Sequence, residues 1–394
     1  MSAADRVCSL SLTLLAIACG SGTGLPKPEP APSGPTLVLR GGDYLDARAG
    51  TLRPNGAILL RDGKIVALHP RGSSWRPPAG ATVIDLAGRT ILPGLVDAHV
   101  HLTLAGDPDS NAAATLRAGF TTVADLGSAG GAGIRLRDAI AAGRVDGPRV
   151  IAAGSWIGAR GGVCEFGGAT VTGADEARAR AASDLDAGAD LLKVCVTGWP
   201  ADAIAFPDSI ELGADVLDGV VAVAATARRP VYAHAIGRAG ALMAAVHGAR
   251  ALAHTPVVDS AGALALKRTG VAVITTLTTL SAGRGGAEVR RSFRLLHRAG
   301  VPLVLGTDAG VLPHGQNARE LTALVEAGLS PAEALRAATI DAAALLGLDQ
   351  IGDIAPGKAG DFVVVKGNPL ESIRALERPV LVVKGGRPTV AAPP

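Results

Sequence analysis

Two histidines, His99 and His101, lie two residues apart in the apolar run GLVDAHVHL. Side chains at positions i and i+2 of a strand share one face, so both imidazoles can bind one metal ion. A single H-x-H pair is also compatible with structural or solvated histidines. Three more polar residues, His234, His254 and Asp308, stand at the ends of later apolar runs. Four of the eight histidines therefore occupy run ends, where chance would scatter them, and this pattern predicts a metal site.

A lysine inside another apolar run adds to this pattern. The chain has only seven lysines against 31 arginines, and Lys193 interrupts the run LLKVCV. A buried ammonium is costly unless it is paired or neutralised. An edge strand, or a side chain that reaches to the surface, would be a structural explanation. The functional explanation is a neutral amine that carbon dioxide carboxylates, because the resulting carbamate can bridge two divalent ions through its oxygens.

The elements that must position these residues are strands that alternate with alanine-rich helical stretches. Eight strand-like runs occur in the segment 93–349, at 94–102, 121–126, 149–154, 191–196, 230–235, 251–255, 271–277 and 301–308. This number and rhythm predict an α/β fold, a (β/α)8 TIM barrel. Active sites of such barrels lie at the carboxyl ends of the strands, so this fold would bring the polar run ends together.

Both ends of the folded chain have a β pattern instead. Short apolar runs separated by turns fill 36–92, and the runs DFVVV and PVLVVKGG return within 350–390. Asp62-Gly63 between two apolar runs predicts a hairpin turn. We therefore expect a small composite β-sandwich domain, built from 36–92 and 350–390, beside the barrel at 93–349.

The N-terminus has the features of an export signal. Residues 1–18 form a predicted signal peptide, with the apolar run VCSLSLTLLAIA after Arg6. Ala18-Cys19 resembles a bacterial lipoprotein cleavage site with Cys19 as the lipidated residue, and 19–35 form a Gly/Ser/Pro-rich tether. The sequence thus predicts an exported protein, lipid-anchored at a bacterial membrane and facing the periplasm or exterior. A cytoplasmic protein with an apolar N-terminus is the alternative.

Composition excludes several classes of function. A net charge of +3, from 38 basic and 35 acidic residues, is too small to indicate a nucleic-acid binder. A hydrophobic fraction of 48% excludes a chain that is mainly disordered. We therefore expect a small-molecule substrate, no nucleic-acid partner, and membrane contact only through the N-terminal lipid anchor. The sequence is also compatible with a homo-oligomer.

The runs GLVDAHVHL, LLKVCVTG, YAHA, ALAH and LGTDAG, in that order, resemble the amidohydrolase superfamily. The stretch from Pro313 to Leu321, then VEAGLSPAEALRAAT and GDIAPGKAGDFVVVKGNPL, resemble the branch of imidazolonepropionase-like proteins and metal-dependent prolidases. The resemblance covers roughly 36–390. Its implied centre holds two divalent metal ions, with Zn²⁺ favoured by imidazole and carboxylate ligands.

The resemblance also implies a role for each ligand. His99 and His101 would bind the first ion, and His234 and His254 the second. Lys193, N6-carboxylated, would bridge the two ions, while Asp308 would bind the first ion and transfer protons. The implied reaction is metal-dependent hydrolysis of amide C–N bonds by a metal-activated hydroxide.

The implied substrates are dipeptides or N-acyl amino acids. An imidazolonepropionase-like hydrolase of cyclic amides or lactones is the alternative within the enzyme class. A catalytically silent scaffold is disfavoured, because all six ligand positions carry ligand-competent residues.

Several further residues have two explanations each. Tyr232 lies two residues before His234 on the same strand face, where it could stabilise an oxyanion or simply pack. Arg160 could bind a substrate carboxylate or be a solvated loop residue. His314 could contact substrate or orient its loop.

Two cysteines lie outside the leader, Cys164 and Cys195. They do not amount to a disulfide framework, and the sequence leaves open whether they pair. Because sequence spacing places no base and no second thiol beside Cys195, we expect it to pack rather than react.

Overall fold

The computed structural model describes residues 36–254, 256–283 and 285–389. The signal peptide, Cys19 and the tether predicted from the sequence lie outside these residues. Within them the strands are β1 Thr36–Arg40, β2 Asp43–Asp46, β3 Thr51–Arg61, β4 Lys64–Pro70, β5 Thr82–Asp85, β6 Arg89–Pro93, β7 Leu95–Val100, β8 Phe120–Asp125, β9 Arg149–Ala159, β10 Thr170–Val171, β11 Leu191–Cys195, β12 Val231–His234, β13 Ala251–Ala253, β14 Ala272–Ile274, β15 Leu303–Val304, β16 Phe362–Lys366, β17 Leu381–Lys384 and β18 Arg387–Thr389.

The α-helices of the same residues fall almost entirely between the barrel strands or after them. They are α1 Pro108–Arg117, α2 Ala132–Ala141, α3 Ala174–Asp186, α4 Pro200–Ala205, α5 Ala214–Thr226, α6 Arg238–Val246, α7 Ser260–Thr269, α8 Leu277–Ser281, α9 Gly286–Ala299, α10 Arg319–Ala327, α11 Pro331–Ala337 and α12 Ile340–Leu345. None of the helices described here has the length and apolar character that crossing a membrane requires.

The first sheet combines strands from both ends of the chain. Its order is β18-β17-β16-β6-β2-β3-β1-β5, and β4 pairs with β3. The two ends meet where β16 runs antiparallel to β6, with Val363 opposite Leu92. At the predicted hairpin, Asp62 and Gly63 both have positive φ, 50° and 74°, and join β3 to β4. Positive φ at both central residues is the requirement of a type I′ turn, which the Asp-Gly pair satisfies.

The second sheet is the barrel. Strands β7, β8, β9, β11, β12, β13, β14 and β15 are neighbours in chain order and pair in parallel. Backbone bonds from Ala98 N to Leu305 O (3.0 Å) and from His101 N to Ala309 O (2.7 Å) link the first strand to the segment after the eighth. The predicted (β/α)8 barrel with a β domain from both chain ends is confirmed. Its strands are buried on both faces, which explains why they read as continuous apolar runs.

Candidate metal centre

The first strand of the barrel carries the H-x-H pair to the mouth. His99 lies near the end of β7 and His101 just after it, and both side chains are buried. The Nε2 atoms of the two rings are 3.2 Å apart. Asp308, in the turn after β15, places Oδ1 at 3.4 Å from each of these nitrogens. Two imidazoles and a carboxylate therefore converge on one point.

The separations of these three atoms fit a metal ion. Ligands at 2.0–2.1 Å from a tetrahedral ion lie about 3.3–3.4 Å from one another. The distances of 3.2 and 3.4 Å between His99, His101 and Asp308 match that geometry. Burial lowers the pKa of His99 well below its usual value, so the ring is neutral and has a lone pair to offer. The residues present thus fit a divalent cation.

Two more histidines extend the cluster. His234 is the last residue of β12, and His254 follows β13 directly. The His254 ring lies 4.8 Å from the His99 ring and 4.6 Å from the His234 ring, measured between centroids. Burial, followed by the charge of Lys193, lowers the pKa of His234 to about 4. Four imidazoles therefore share one buried region, an arrangement that suits a metal centre.

Lys193 lies in the middle of β11, and only 2% of its surface is exposed. Burial lowers the pKa of its amine to about 7, while the negative charge of Asp308 acts in the opposite direction. The positive charge of Lys193 also lowers the pKa values of His99, His234 and His254. The structure thus brings the six residues predicted from the run ends and from LLKVCV into one cluster at the barrel mouth.

The backbone at this cluster is strained. Five residues other than glycine have positive φ in the part of the chain that is described, and three of them lie here: His254 (83°), Thr276 (46°) and Asp308 (59°). Such conformations cost of order 1–3 kcal/mol each and concentrate at functional sites. His254 Nδ1 and Thr276 Oγ1 are 3.0 Å apart, so a hydrogen bond connects two of the strained residues.

Asp97 ties the first barrel strand to the eighth. Its carboxylate accepts bonds from the backbone N–H groups of His99 (3.1 Å) and Thr307 (3.0 Å), the Thr307 hydroxyl (2.7 Å) and Asn317 Nδ2 (2.9 Å). Complete burial raises the pKa of Asp97 to about 7 against the effect of these donors. Because Thr307 precedes Asp308, Asp97 fixes two candidate ligands, His99 and Asp308, relative to each other.

Glu320 of α10 holds the turn that carries Thr276. Its oxygens accept bonds from Thr275 Oγ1 and Leu277 N, both at 2.7 Å, and from Thr278 N and Oγ1 at 2.8 and 2.7 Å. The side chain is buried, and burial raises its pKa. Sequence reasoning used Glu320 only as part of a motif, since a carboxylate on a helix has no visible link to a turn about 45 residues earlier.

Asp125, the last residue of β8, is a third buried carboxylate near the cluster, and sequence reasoning did not single it out. Within the described ranges its two oxygens make no well-aligned hydrogen bond. Burial raises its pKa to about 7, although the nearby His101 and the backbone N–H groups of Leu102 and Gly127 act to lower it. A cation bound by His101 would supply the positive charge that this carboxylate lacks, which is a further sign that the site suits a metal ion.

Tyr232 lies at the other end of the barrel interior. It stands near the start of β12 and packs in a core cluster with Leu191 and Ala251, which begin their own strands. Its hydroxyl donates to the backbone oxygen of Leu345 at 3.3 Å, and burial raises its pKa. This placement corrects the oxyanion role suggested from the sequence, and the packing alternative is the one that the structure shows.

The structure also shows where Arg160 and His314, the two candidate substrate contacts, lie. Arg160 is exposed just after β9, where its backbone N–H donates to Val171 O at 3.3 Å. His314 has both ring nitrogens engaged, with Thr115 Oγ1 at 3.0 Å and His101 O at 3.2 Å. His314 therefore orients its loop, which corrects the substrate contact, whereas a substrate role of Arg160 stays a prediction.

Cys195 is not isolated. Cys164, in the loop after β9, forms a disulfide with Cys195 at the end of β11. The sequence left this pairing open; the two cysteines meet because the loop folds back over the neighbouring strand, and Cys195 packs in a buried cluster as half of the disulfide. Sequence spacing could not reveal a contact between residues 31 positions apart.

Known proteins resemble this chain over most of its length. A family model described as "Amidohydrolase family" matches residues 90–389. An ochratoxinase of Aspergillus niger is 27% identical over 400 aligned positions, covering 84% of this chain and 82% of that protein. An imidazolonepropionase of Solibacter usitatus is 28% identical, covering 79% and 84%. The crystal structure of a Xaa-Pro dipeptidase with bound methionine in its active site superimposes with a TM-score of 0.82 at 27% identity, covering 90% of this chain and all of that one.

Proposed function

The chain belongs to the amidohydrolase family and is a hydrolase of C–N bonds, and we propose that it cleaves the amide bond of dipeptides or N-acyl amino acids at a two-metal centre. The observation that carries this proposal is the convergence of His99, His101 and Asp308 at 3.2–3.4 Å, with Lys193 and two more buried histidines beside them. The Xaa-Pro dipeptidase resemblance supports the dipeptide class.

The residues of the site have different roles in the proposed reaction. Two bound divalent ions, with Zn²⁺ favoured by the donors, would acidify water and polarise a carbonyl. Asp308 lies beside the first ion position, where its carboxylate can accept the proton of the attacking water and return it to the leaving nitrogen. Asp97 and Glu320 keep the ligands in place, and burial keeps bulk water away from the reacting atoms.

Lys193 is proposed to act as a carboxylated bridge. The neutral amine attacks carbon dioxide, a C–N bond forms, and one proton leaves to solvent, giving an anionic carbamate with two oxygen donors. Its burial and its position among His99, His234 and His254 support this, because an ammonium there would repel two cations. A carbamate would instead neutralise part of their charge.

The metal content tests the two-metal proposal directly. Metal-replete wild-type protein is expected to hold two divalent ions per chain by elemental analysis. Lys193→Ala should lose the bridging ligand and nearly all activity, and short-chain carboxylic acids should restore part of it by filling the space of the carbamate. One ion or none in a fully active protein, or a fully active Lys193→Ala variant, would contradict the proposal.

A substrate screen separates the two candidate activities. The imidazolonepropionase resemblance favours a cyclic amide as the second candidate. Dipeptides, N-acyl amino acids and cyclic amides should be offered to the same zinc-loaded protein, with Asp308→Asn as the control for contaminating hydrolases. Cleavage of cyclic amides or lactones alone would replace the first candidate by the second.

We also propose that the protein is exported and lipid-anchored through Cys19. The leader sequence motivates the proposal. The Cys164–Cys195 disulfide supports it, because disulfides persist in oxidising compartments such as the bacterial periplasm.

A further inference from the structure

Aromatic side chains are scarce in this protein and unevenly placed. The chain has three tryptophans, two tyrosines and five phenylalanines among 394 residues. Four of these ten lie on β9 or in the two segments that follow β9 and β11: Trp156, Phe166, Trp199 and Phe206. These segments leave the carboxyl ends of the third and fourth barrel strands, so the rings gather at the face that holds the metal centre.

Three of the rings form a continuous series that starts at a metal-site histidine. The ring centroids of His101 and Trp156 are 5.5 Å apart, those of Trp156 and Phe166 5.0 Å, and those of Phe166 and Trp199 6.2 Å. All of these separations lie in the range of favourable ring–ring contact. The series therefore leads from the buried ligand to the protein surface.

Exposure rises along the series. Trp156 is buried, whereas Phe166 and Trp199 are each 55% exposed. Leu104 and Val311, in the segments after the first and eighth strands, are exposed apolar residues of the same barrel face. Exposed apolar side chains grouped at the mouth of a catalytic site indicate a surface that a ligand covers.

The backbone is shaped around the first ring of the series. A Cβ atom on Gly127 would come within 2.5 Å of Trp156 Nε1, and one on Gly167 within 2.4 Å of Trp156 Cε3. The Trp156 indole therefore lies in a slot that only glycine leaves open on both sides. Gly127 also has a φ of 123°, which disfavours any other residue.

The disulfide joins the two segments that carry the outer rings. Cys164 lies two residues before Phe166, and Cys195 ends the strand that leads to Trp199. Both sulfur-bearing residues pack in one buried cluster with Trp156. This covalent link keeps the rings near one another before any ligand arrives, which lowers the ordering cost of binding.

From these observations we infer the substrate class, an inference that rests on the proposed amide hydrolysis: the group flanking the scissile amide is an aromatic side chain, which lies against Phe166 and Trp199. An aromatic group covers the exposed ring faces by stacking, and the ring series connects these faces to His101 through Trp156. N-acyl derivatives of aromatic amino acids, and dipeptides that contain one, are therefore the preferred substrates.

The test compares matched substrates on matched variants. Wild-type protein is expected to cleave N-acetyl-L-phenylalanine with a kcat/KM about tenfold or more above that for N-acetyl-L-alanine, from the summed contribution of two ring contacts. Phe166→Ala and Trp199→Ala should each lower the first value by about two- to tenfold and leave the second within about twofold. Phe206→Ala is the control, since Phe206 is 68% exposed in the same segment as Trp199 and contacts no other described ring.

A binding measurement separates this inference from the proposed activity. Calorimetry with L-phenylalanine and L-alanine needs no turnover, and only the first is expected to bind with an affinity that Trp199→Ala reduces. Equal kcat/KM for the phenylalanyl and alanyl substrates would overturn the inference while the amide hydrolase stands. Phenylalanine binding at this site without cleavage of any amide would leave the ring site in place and remove the proposed function. A change of oligomeric state in both ring variants, without a change in substrate preference, would assign the rings to a protein contact instead.

Discussion

A charged side chain inside an apolar run is the signal that marks this site at the scale of single residues. Lys193 in LLKVCV was recognisable because lysine is rare in the chain. Asp97 in LVDAHV carries the same signal, yet its role depends on Thr307, 210 positions later. Spacing along a strand predicts which side chains share a face, whereas a bond between distant segments appears only once they are folded. The convergence of the candidate ligands was therefore predictable, and the groups that orient them were not.

The amine of Lys193 gives a pH prediction. Carbon dioxide reacts with the neutral amine, and burial lowers the pKa of Lys193 from its usual 10.5 to about 7. The neutral fraction therefore rises through pH 7 and is nearly complete by pH 8. With the dissolved carbon dioxide concentration held constant across the pH range, the rate at which bicarbonate and zinc reactivate the metal-free protein is expected to rise about tenfold per pH unit below pH 7 and to level off above it.

Zinc without bicarbonate, in carbon dioxide-free buffer, is the control for this experiment and should reactivate poorly. The measurement is the initial rate of activity recovery between pH 6 and 8.5. A rate that keeps climbing tenfold per unit to the end of that range would indicate an exposed lysine of ordinary pKa. Recovery independent of bicarbonate would remove the carbamate altogether.

At the scale of elements, the strands were easier to predict than the turns between them. All eight barrel strands fall within or overlap the runs read from the sequence, because a strand buried on both faces must be apolar throughout. The turns after the strands instead depend on side-chain acceptors supplied from elsewhere. Glu320 of α10 accepts four bonds from the turn at 275–278, and the positive φ of Thr276 within that turn is maintained by them.

Glu320→Gln is expected to weaken zinc binding at the proposed second metal position, which includes His254. The amide replaces one acceptor oxygen by an NH₂ group that faces donors, so the turn at 275–278 loses bonds and Thr276 no longer holds His254. Loss of a group that orients a ligand costs about 10- to 100-fold in metal affinity. Zinc titration with a competing chelator should show that loss for one of the two ions.

Glu326→Gln provides the matched control for the Glu320 variant. Glu326 lies on the same helix, is exposed, and pairs with Arg374 on the surface at 2.8 Å. Such an exposed pair contributes about 0–1 kcal/mol, so the control should change neither the zinc affinity nor, by much, the free energy of unfolding. Unchanged zinc affinity in Glu320→Gln would show that α10 does not position the site.

At the scale of the whole molecule, the two chain ends form one sheet and the barrel lies between them in sequence. The β pattern of apolar runs at both chain ends predicted this arrangement. In the structure, β16 pairs on one side with β17, which is near in sequence, and on the other side with β6 from the opposite end of the chain. The disulfide was not predictable in the same way. It depends on how the loop after β9 folds, and it closes a loop of 31 residues, worth about 3–4 kcal/mol in chain entropy.

Cys19→Ala tests where this molecule works. If Cys19 carries the lipid, the variant should incorporate no labelled palmitate and leave the membrane fraction, because one buried acyl chain contributes about 0.8 kcal/mol per CH₂ group to anchoring. Cys8→Ala is the matched control, a leader cysteine inside the apolar run whose loss should leave the label unchanged.

Thiol titration of the denatured, unreduced wild-type protein should find Cys164 and Cys195 blocked, as an oxidising compartment requires. Equal palmitate label in Cys19→Ala and wild type would contradict lipidation at Cys19, and two free thiols at the disulfide positions would favour the cytoplasmic alternative.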